Sequence, residues 1–342
     1  MKKYLYLIPV AALAMTACTN ESNEFVGSPE SREISFTAIS QNTTRAAIDA
    51  FTTEDLEVAA YDVTGGRTFF AGTTFKKGYA NGADASGSYW GGDPARYWPL
   101  SAAKINFLAY ANVQGTAKFG DELVSPVDAA STAVITQTDN SSAQKDLMFA
   151  KGYGEVEVSG NDLTFPTKVD MAFTHAQSLI TFRVKAADAA STAITVNKIV
   201  LNNAYYSGTY TITFTNYDAA TSQSVAGVWT SLGDKKNLDP VPGSNTGTAL
   251  STSAFSDRGS ALVVPNPTET TPSVVDPSFD SFTIHYTLDS KAYTYTYTPA
   301  SRVLVQGTKY VYDITFKVHE IFINPSVSPW ADGGTGSITV HN

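Results

Sequence analysis

The chain reads as an all-β protein built of tandem sandwiches, and three observations predict this. Tyr and Phe number 18 each among 342 residues, and with abundant Thr and Val they favour strands. Apolar and polar residues alternate in many short runs set apart by Gly, Pro, Asn and Asp. Past the first 18 residues, no window of a dozen carries the apolar stripe of a surface helix. Many short antiparallel strands with turn residues between them suggest sandwiches.

The elements follow in order. In ISFTAI (34–39), Ile34, Phe36 and Ala38 share one face while Ser35 and Thr37 share the other, which predicts a half-buried strand. A polar break, QNTTRAAIDAF, separates it from LEVAAYDV (56–63). Further strands are expected at KINFLAYANV (104–113), EVEVSG (155–160), LITFRVKA (179–186), ITVNKIVLNN (194–203), YTITF (210–214) and SALVVP (260–265). The last are FTIHYTL (282–288), AYTYTYT (292–298) and YVYDITFKV (310–318). Short helical turns are expected near 93–98 and 142–149. The stretches 216–260 and 266–280, rich in Ser, Thr, Gly and Asn, read as large loops.

Charge narrows the function. Only 16% of residues are charged, and the formal net charge is −9. An acidic, Tyr-rich chain lacks the clustered Lys and Arg that nucleic acid selects. The N-terminus is more informative. Lys2 and Lys3 precede an apolar stretch from Tyr4 to Met15, the length of a signal-peptide core and short of the ~20 residues that span a bilayer. Thr16 and Ala17 then lead into Cys18, the sole cysteine. The pattern resembles a bacterial lipobox, with cleavage between Ala17 and Cys18 and a diacylglycerol on the Cys18 thiol; Met15 stands where most lipoboxes have Leu. A single cysteine forms no internal disulfide, so stability must come from an apolar core. Residues 19–31 are polar and acidic and read as a tether.

Signs of catalysis or metal binding are sparse. His175, His285, His319 and His341 are scattered, whereas zinc needs three or four convergent ligands. His175 reads as a hydrogen-bonded boundary residue. Neither a P-loop nor a GxSxG motif occurs, and GGDP (91–94) reads as a turn. Glu155 and Glu157 alternate with Val156 and Val158, as expected of a solvated strand face rather than a glycosidase pair. No catalytic residue, cofactor or metal is called for. Tyr89, Trp90, Tyr97 and Trp98 could form a sugar-stacking platform, but their position ahead of KINFLAY favours packing.

Several phrases together resemble the fimbrillin family, the subunits of type V pili in Gram-negative anaerobes. They are ISFTAISQNTTRA, RYWPLSAAKINFLAYAN, KDLMFAKG, VDMAFTHAQSLITFRVKA, ITVNKIVLNNAYYSGTY, LVVP and VQGTKYVYDITFKVHEIFINPSVSPWADGG. The resemblance implies two transthyretin-like β-sandwiches. It divides the chain into a signal peptide (1–17), a tether with a removable strand (18–45), an N-terminal sandwich (46–168) and a C-terminal sandwich (169–342). It implies an outer-membrane lipoprotein precursor that an Arg-specific protease cuts at the cell surface, after which subunits join head-to-tail by strand exchange into an adhesive fimbrium. Arg45, followed by Ala46, is the residue that matches the cleavage site. The strand lost would carry Ile34, Phe36 and Ala38. Ile338 and Val340 in GSITVHN are the candidate donor, with TFKVHEIFI (315–323) as the other choice and NPSVSPWADGG as a hinge between them. A fimbrial tip or anchor component and a surface glycan-binding lipoprotein are the competing readings.

Overall fold

The structure is a computed structural model that describes residues 32–40, 55–78, 89–111, 118–119, 130–136, 144–213, 227–240, 249–267, 276–318, 320–329 and 338–339. The first strands are β1 (Ser35–Ser40), β2 (Leu56–Asp62), β3 (Arg67–Lys77), β4 (Trp90–Asp93) and β5 (Ala103–Ala111). Next come β6 (Lys118–Phe119), β7 (Ala130–Thr136), β8 (Met148–Ser159), β9 (Asp162–Thr164), β10 (Val169–His175) and β11 (Ser178–Ala186). A 3-10 turn at Ala190–Ala193 precedes β12 (Thr195–Tyr205), β13 (Ser207–Thr213), β14 (Gly227–Leu232), β15 (Lys235–Leu238) and β16 (Ser256–Val263). The chain closes with β17 (Ser281–Leu288), β18 (Lys291–Tyr297), β19 (Thr308–Lys317), β20 (Glu320–Pro329) and β21 (Ile338–Thr339).

The first sheet runs β10-β1-β4-β3-β2-β5-β8-β9, and β10 also pairs with β8 at Thr174↔Phe149 and His175↔Met148. Pairing thus returns on itself, and the two layers of this sandwich are joined at both edges. Its interior is apolar because the inward members of each alternation fill it: Ile34, Phe36, Val58, Phe75, Ile105, Phe107 and Met171 are all fully buried. The second sandwich sets β16-β11-β19-β20-β21 against β15-β12-β17-β18. Phe182, Val184, Ile199, Phe282, Ile284 and Phe316 form the centre of its core.

A third cluster joins these bodies. Leu108 and Tyr110 on β5, with Leu147 and Phe149, pack against Tyr210, Ile212 and Trp229 of a small sheet ordered β14-β13-β7-β6. That sheet pairs a segment of the first half, β7, with a segment of the second, β13, from Ser207↔Thr136 to Thr213↔Ala130. The cluster explains why β5 and the start of β8 are buried on both faces. Beside it, Lys235 and Tyr205 donate to Asp276, and these hydrogen bonds hold the Asp276 carboxyl below the usual carboxylate range.

Several sequence expectations change here. No helical turn forms at 93–98, where β4 ends at Asp93 and Tyr97 instead bridges to Glu33. Nor does one form over 144–149: residues 144–147 are irregular and β8 begins at Met148. The reason is that Leu147 and Phe149 face one core while Met148 and Ala150 face another, so the run shows no alternation. The expected division at 168/169 falls before β10, whose Val169, Met171 and Phe173 belong to the first core. Of the expected hinge at 324–334, residues 324–329 are part of β20 and the rest lie outside the described residues. Counted from the closing pair Lys317↔Glu320, Pro325 and Pro329 fall at positions that do not bond β19, where a missing N–H costs no ladder bond.

Trp229 provides a test of the junction. Its Nε1–H donates to the Ala176 carbonyl at 2.8 Å in a buried setting. Trp229→Phe removes that donor and part of the ring, and we expect a loss of about 1–3 kcal/mol, read as a lower denaturant midpoint with an unchanged slope.

Candidate functional site

The first strand occupies a groove that the rest of the N-terminal sandwich cannot fill for itself. The segment docks before β1 begins: Trp98 N–H donates to the Arg32 carbonyl at 2.8 Å, and Ile34 N–H donates to the Arg96 carbonyl at 2.7 Å. β1 then pairs antiparallel with β4 at Ser35↔Gly91 and Phe36↔Trp90. It runs parallel to β10 from Phe36↔Val169 through Ala38↔Met171 to Ser40↔Phe173. Lying between β4 and β10, it closes the ring.

The side chains hold as firmly as the backbone. Ile34 and Phe36 are both 0% exposed. The Phe36 ring meets Phe75 edge-on at 4.7 Å between centroids and Phe107 at 5.1 Å. Burial of each such side chain contributes about 1.5–3 kcal/mol, and edge-to-face ring pairs add about 0.5–1.5 kcal/mol. On the outward face Ser35 Oγ donates to the Thr167 carbonyl at 3.2 Å, and Thr37 donates to Asp170. Ile34 and Phe36 therefore point inward, as the alternation in ISFTAI predicts, while the side chain of Ala38 lies outside those described.

β4 is the part of this groove that the sequence reading missed. GGDP was expected to be a turn, but Gly91 and Gly92 lie inside β4. A Cβ on Gly92 would come 2.8 Å from the Pro94 carbonyl and 3.3 Å from the Phe75 ring, so close approach, not turn formation, requires glycine there. The apolar Trp90 just ahead of the pair was the available signal.

The aromatic cluster behaves as packing. Trp90 and Trp98 are buried, and Trp98 meets Phe107 at 5.6 Å; Tyr97 alone of the three is exposed, with the Arg32 guanidinium 6.0 Å from its ring. With both tryptophans buried, the cluster offers solvent only Tyr97 and the half-buried Tyr89. His175 sits at the boundary as expected, its Nδ1 2.6 Å from Asp146 Oδ2. Glu155 and Glu157 lie on a solvated face, where Glu155 accepts from Tyr153 at 2.7 Å. Among the described residues no group of His, Cys, Asp and Glu is placed to hold a metal ion.

The C-terminal candidates separate. Ile338 lies on β21, whose described residues pair with β20 at Ser326↔Thr339 and Val327↔Ile338. Residues 315–323 instead form the β19–β20 hairpin, with Ile314 opposite Ile323 and Phe316 opposite Ile321, so all four share one face toward the core. The expectation that Phe316 and the two isoleucines lie on opposite faces fails because the hairpin folds them together. Ala17, Cys18, Arg45, Ala46 and Val340 lie outside the described residues.

The chain is similar to proteins already known. A family model described as fimbrillin-like matches residues 44–330. A Bacteroides uniformis protein named as a fimbrium subunit, Fim1C, is 26% identical over 99% of both chains. Among solved structures, a Bacteroides uniformis protein described as a cell adhesion protein superposes with a TM-score of 0.50 at 16% identity, covering 87% of this chain and 98% of its own. A fimbrial protein of Bacteroides vulgatus gives a TM-score of 0.46 at 17% identity over 87% and 99%.

The groove makes a quantitative expectation. Phe36→Ala empties the space between Phe75 and Phe107 and should cost about 3–5 kcal/mol. Thr37→Ala, on the outward face, should change stability by less than about 0.5 kcal/mol. Paired urea titrations of the intact chain measure both.

Proposed function

This chain belongs to the fimbrillin-like family, and we propose that it is a structural subunit of a type V pilus that assembles head-to-tail by strand exchange. The observation that carries the reading is the placement of β1. Ile34 and Phe36 are fully buried between β4 and β10. The chain beyond β1 reaches β2 through residues 41–54, which include Arg45. In this reading the precursor is an outer-membrane lipoprotein joined to lipid at Cys18. An Arg-specific protease cuts between Arg45 and Ala46 at the cell surface, releasing lipid, tether and β1 together.

Cutting at Arg45 converts β1 from part of the chain into a separate peptide. Before the cut, its linker holds it at an effective concentration in the millimolar range. After the cut, a lost β1 leaves an apolar trough and two bare strand edges, β4 and β10, which form a template for another strand. Ile338 and Val340 have the same two-residue spacing as Ile34 and Phe36. Among the described residues β21 pairs on one side alone, with β20, whereas β1 pairs with both β4 and β10, so β21 is the more easily freed of the two. Groove and donor lie on different surfaces, so the contact repeats without closing and gives a filament. The partners are then other pilus subunits, and the mature location is the fimbrium. The name of the Bacteroides uniformis relative, a fimbrium subunit, agrees with this role.

Arg45→Ala tests the proposal. The variant should fold, carry lipid and remain monomeric on the cell, with no ladder of polymers in unboiled gel samples. Normal polymers from this variant would overturn the cleavage step.

A further inference from the structure

Exposed sheet edges recruit strands unless something blocks them, and short length, charge, bulges and proline are the usual blocks. Most described edges of this molecule carry one. β9 has three residues. β15 has four and includes Lys235 and Lys236. Register shifts leave an extra residue on β14 opposite β13 and on β16 opposite β11. β18 differs. It spans seven residues, ends its sheet, and pairs with β17 without a shift from Phe282↔Tyr297 to Leu288↔Lys291. It holds no proline, and its one charge is the terminal Lys291. Its first six residues are exposed, Tyr293 and Tyr295 at 37% and 38%.

The backbone fixes which groups that edge offers. Asp289 and Ser290 have φ of 51° and 64°, the signature of a two-residue type I′ turn. Such a turn makes Leu288↔Lys291 a hydrogen-bonded pair, and bonded pairs then alternate along the hairpin. Ala292, Thr294 and Thr296 therefore point their N–H and C=O groups away from β17 and toward the open edge.

We propose that β18 is a lateral docking edge for a second copy of this chain, joined antiparallel across a two-fold axis at Thr294. The sequence of the strand is what selects this occupant. About Thr294, AYTYT (292–296) reads the same in both directions except that Ala292 meets Thr296, so two copies place threonine on threonine and tyrosine on tyrosine at the centre of the contact. Thr294 would face its own counterpart in a hydrogen-bonded pair, Ala292 would face Thr296, and Tyr293 would face Tyr295 at the closer spacing of the intervening pairs. Aromatic and threonine cross-strand pairs are both favourable, and no like charges oppose each other. One short strand pair gives a weak contact between single subunits. Repeated along a filament it becomes multivalent and bundles fimbriae side by side. The bundling rests on the fimbrial reading above; the pairing does not.

The test therefore uses single subunits. Chain carrying Arg45→Ala and Cys18→Ser, so that neither strand exchange nor lipid contributes, is followed by sedimentation velocity from micromolar to sub-millimolar concentration. A reversible dimer is expected. Thr294→Pro removes an N–H that faces away from β17, so the hairpin is retained while association weakens at least about tenfold, the change expected from losing one or two hydrogen bonds. Thr294→Val should leave it unchanged. Thr294→Lys opposes two like charges at the axis, and its association should weaken and then recover in high salt. Monomer at every concentration overturns the proposal. So does a dimer that Thr294→Pro and Thr294→Lys both leave intact, including one lost only on Tyr295→Ser, which would indicate ring stacking without strand pairing.

Discussion

The N-terminal sandwich depends on the insertion of Phe36 between Phe75 and Phe107. The contact brings together three residues far apart in sequence, on β1, β3 and β5. With Ile34 it completes an interior that the remaining strands leave open. The backbone repeats the lesson, because β4 and β10 meet only through β1. One short segment thus supplies both the last side chains of a core and the last strand of a ring. A fold built this way is stable with the segment in place and unsatisfied without it, since the exposed trough is apolar and its edges carry unpaired donors and acceptors.

That arrangement suits a part that must wait before assembling. A segment held by burial of two large side chains and a ladder of backbone bonds does not leave unaided. Its covalent link through residues 41–54 also keeps it near the groove. Cutting that link would leave the described contacts of β1 in place and lower the cost of its departure. The other body contributes differently. The second sandwich has a core of its own, and the Leu108–Tyr110–Trp229 cluster ties it to the outer face of β5 and β8. Events at the β1 groove are therefore set on a firm base, because β5 is packed on both faces.

Much of this was legible in the sequence, for a clear physical reason. Strands with one wet face declare themselves by alternation, and ISFTAI and FTIHYTL fall where read; AYTYTYT also falls where read, although both of its faces are exposed. Strands buried on both faces do not, which is why 144–149 looked helical and why β8 seemed to begin only at EVEV. Long-range pairing was also hidden. Nothing in the local pattern of 130–136 says that it pairs with 207–213. GGDP reads as a turn because glycine signals both tight bends and close approach, and only the Pro94 carbonyl and the Phe75 ring beside Gly92 decide between them. Ile34 and Phe36 were identifiable as an inserted pair, but their partners were not, since all the rings that receive Phe36 come from other strands.

The central claim is that β1 is a temporary occupant of its groove. The most direct measurement is mass spectrometry of the subunit recovered from sheared surface fibres, read for its N-terminal residue. The account predicts a mature chain that starts at Ala46, with neither lipid nor residues 34–40. Fibres built from subunits that still carry lipid on Cys18, or that retain Ile34 and Phe36, would contradict it.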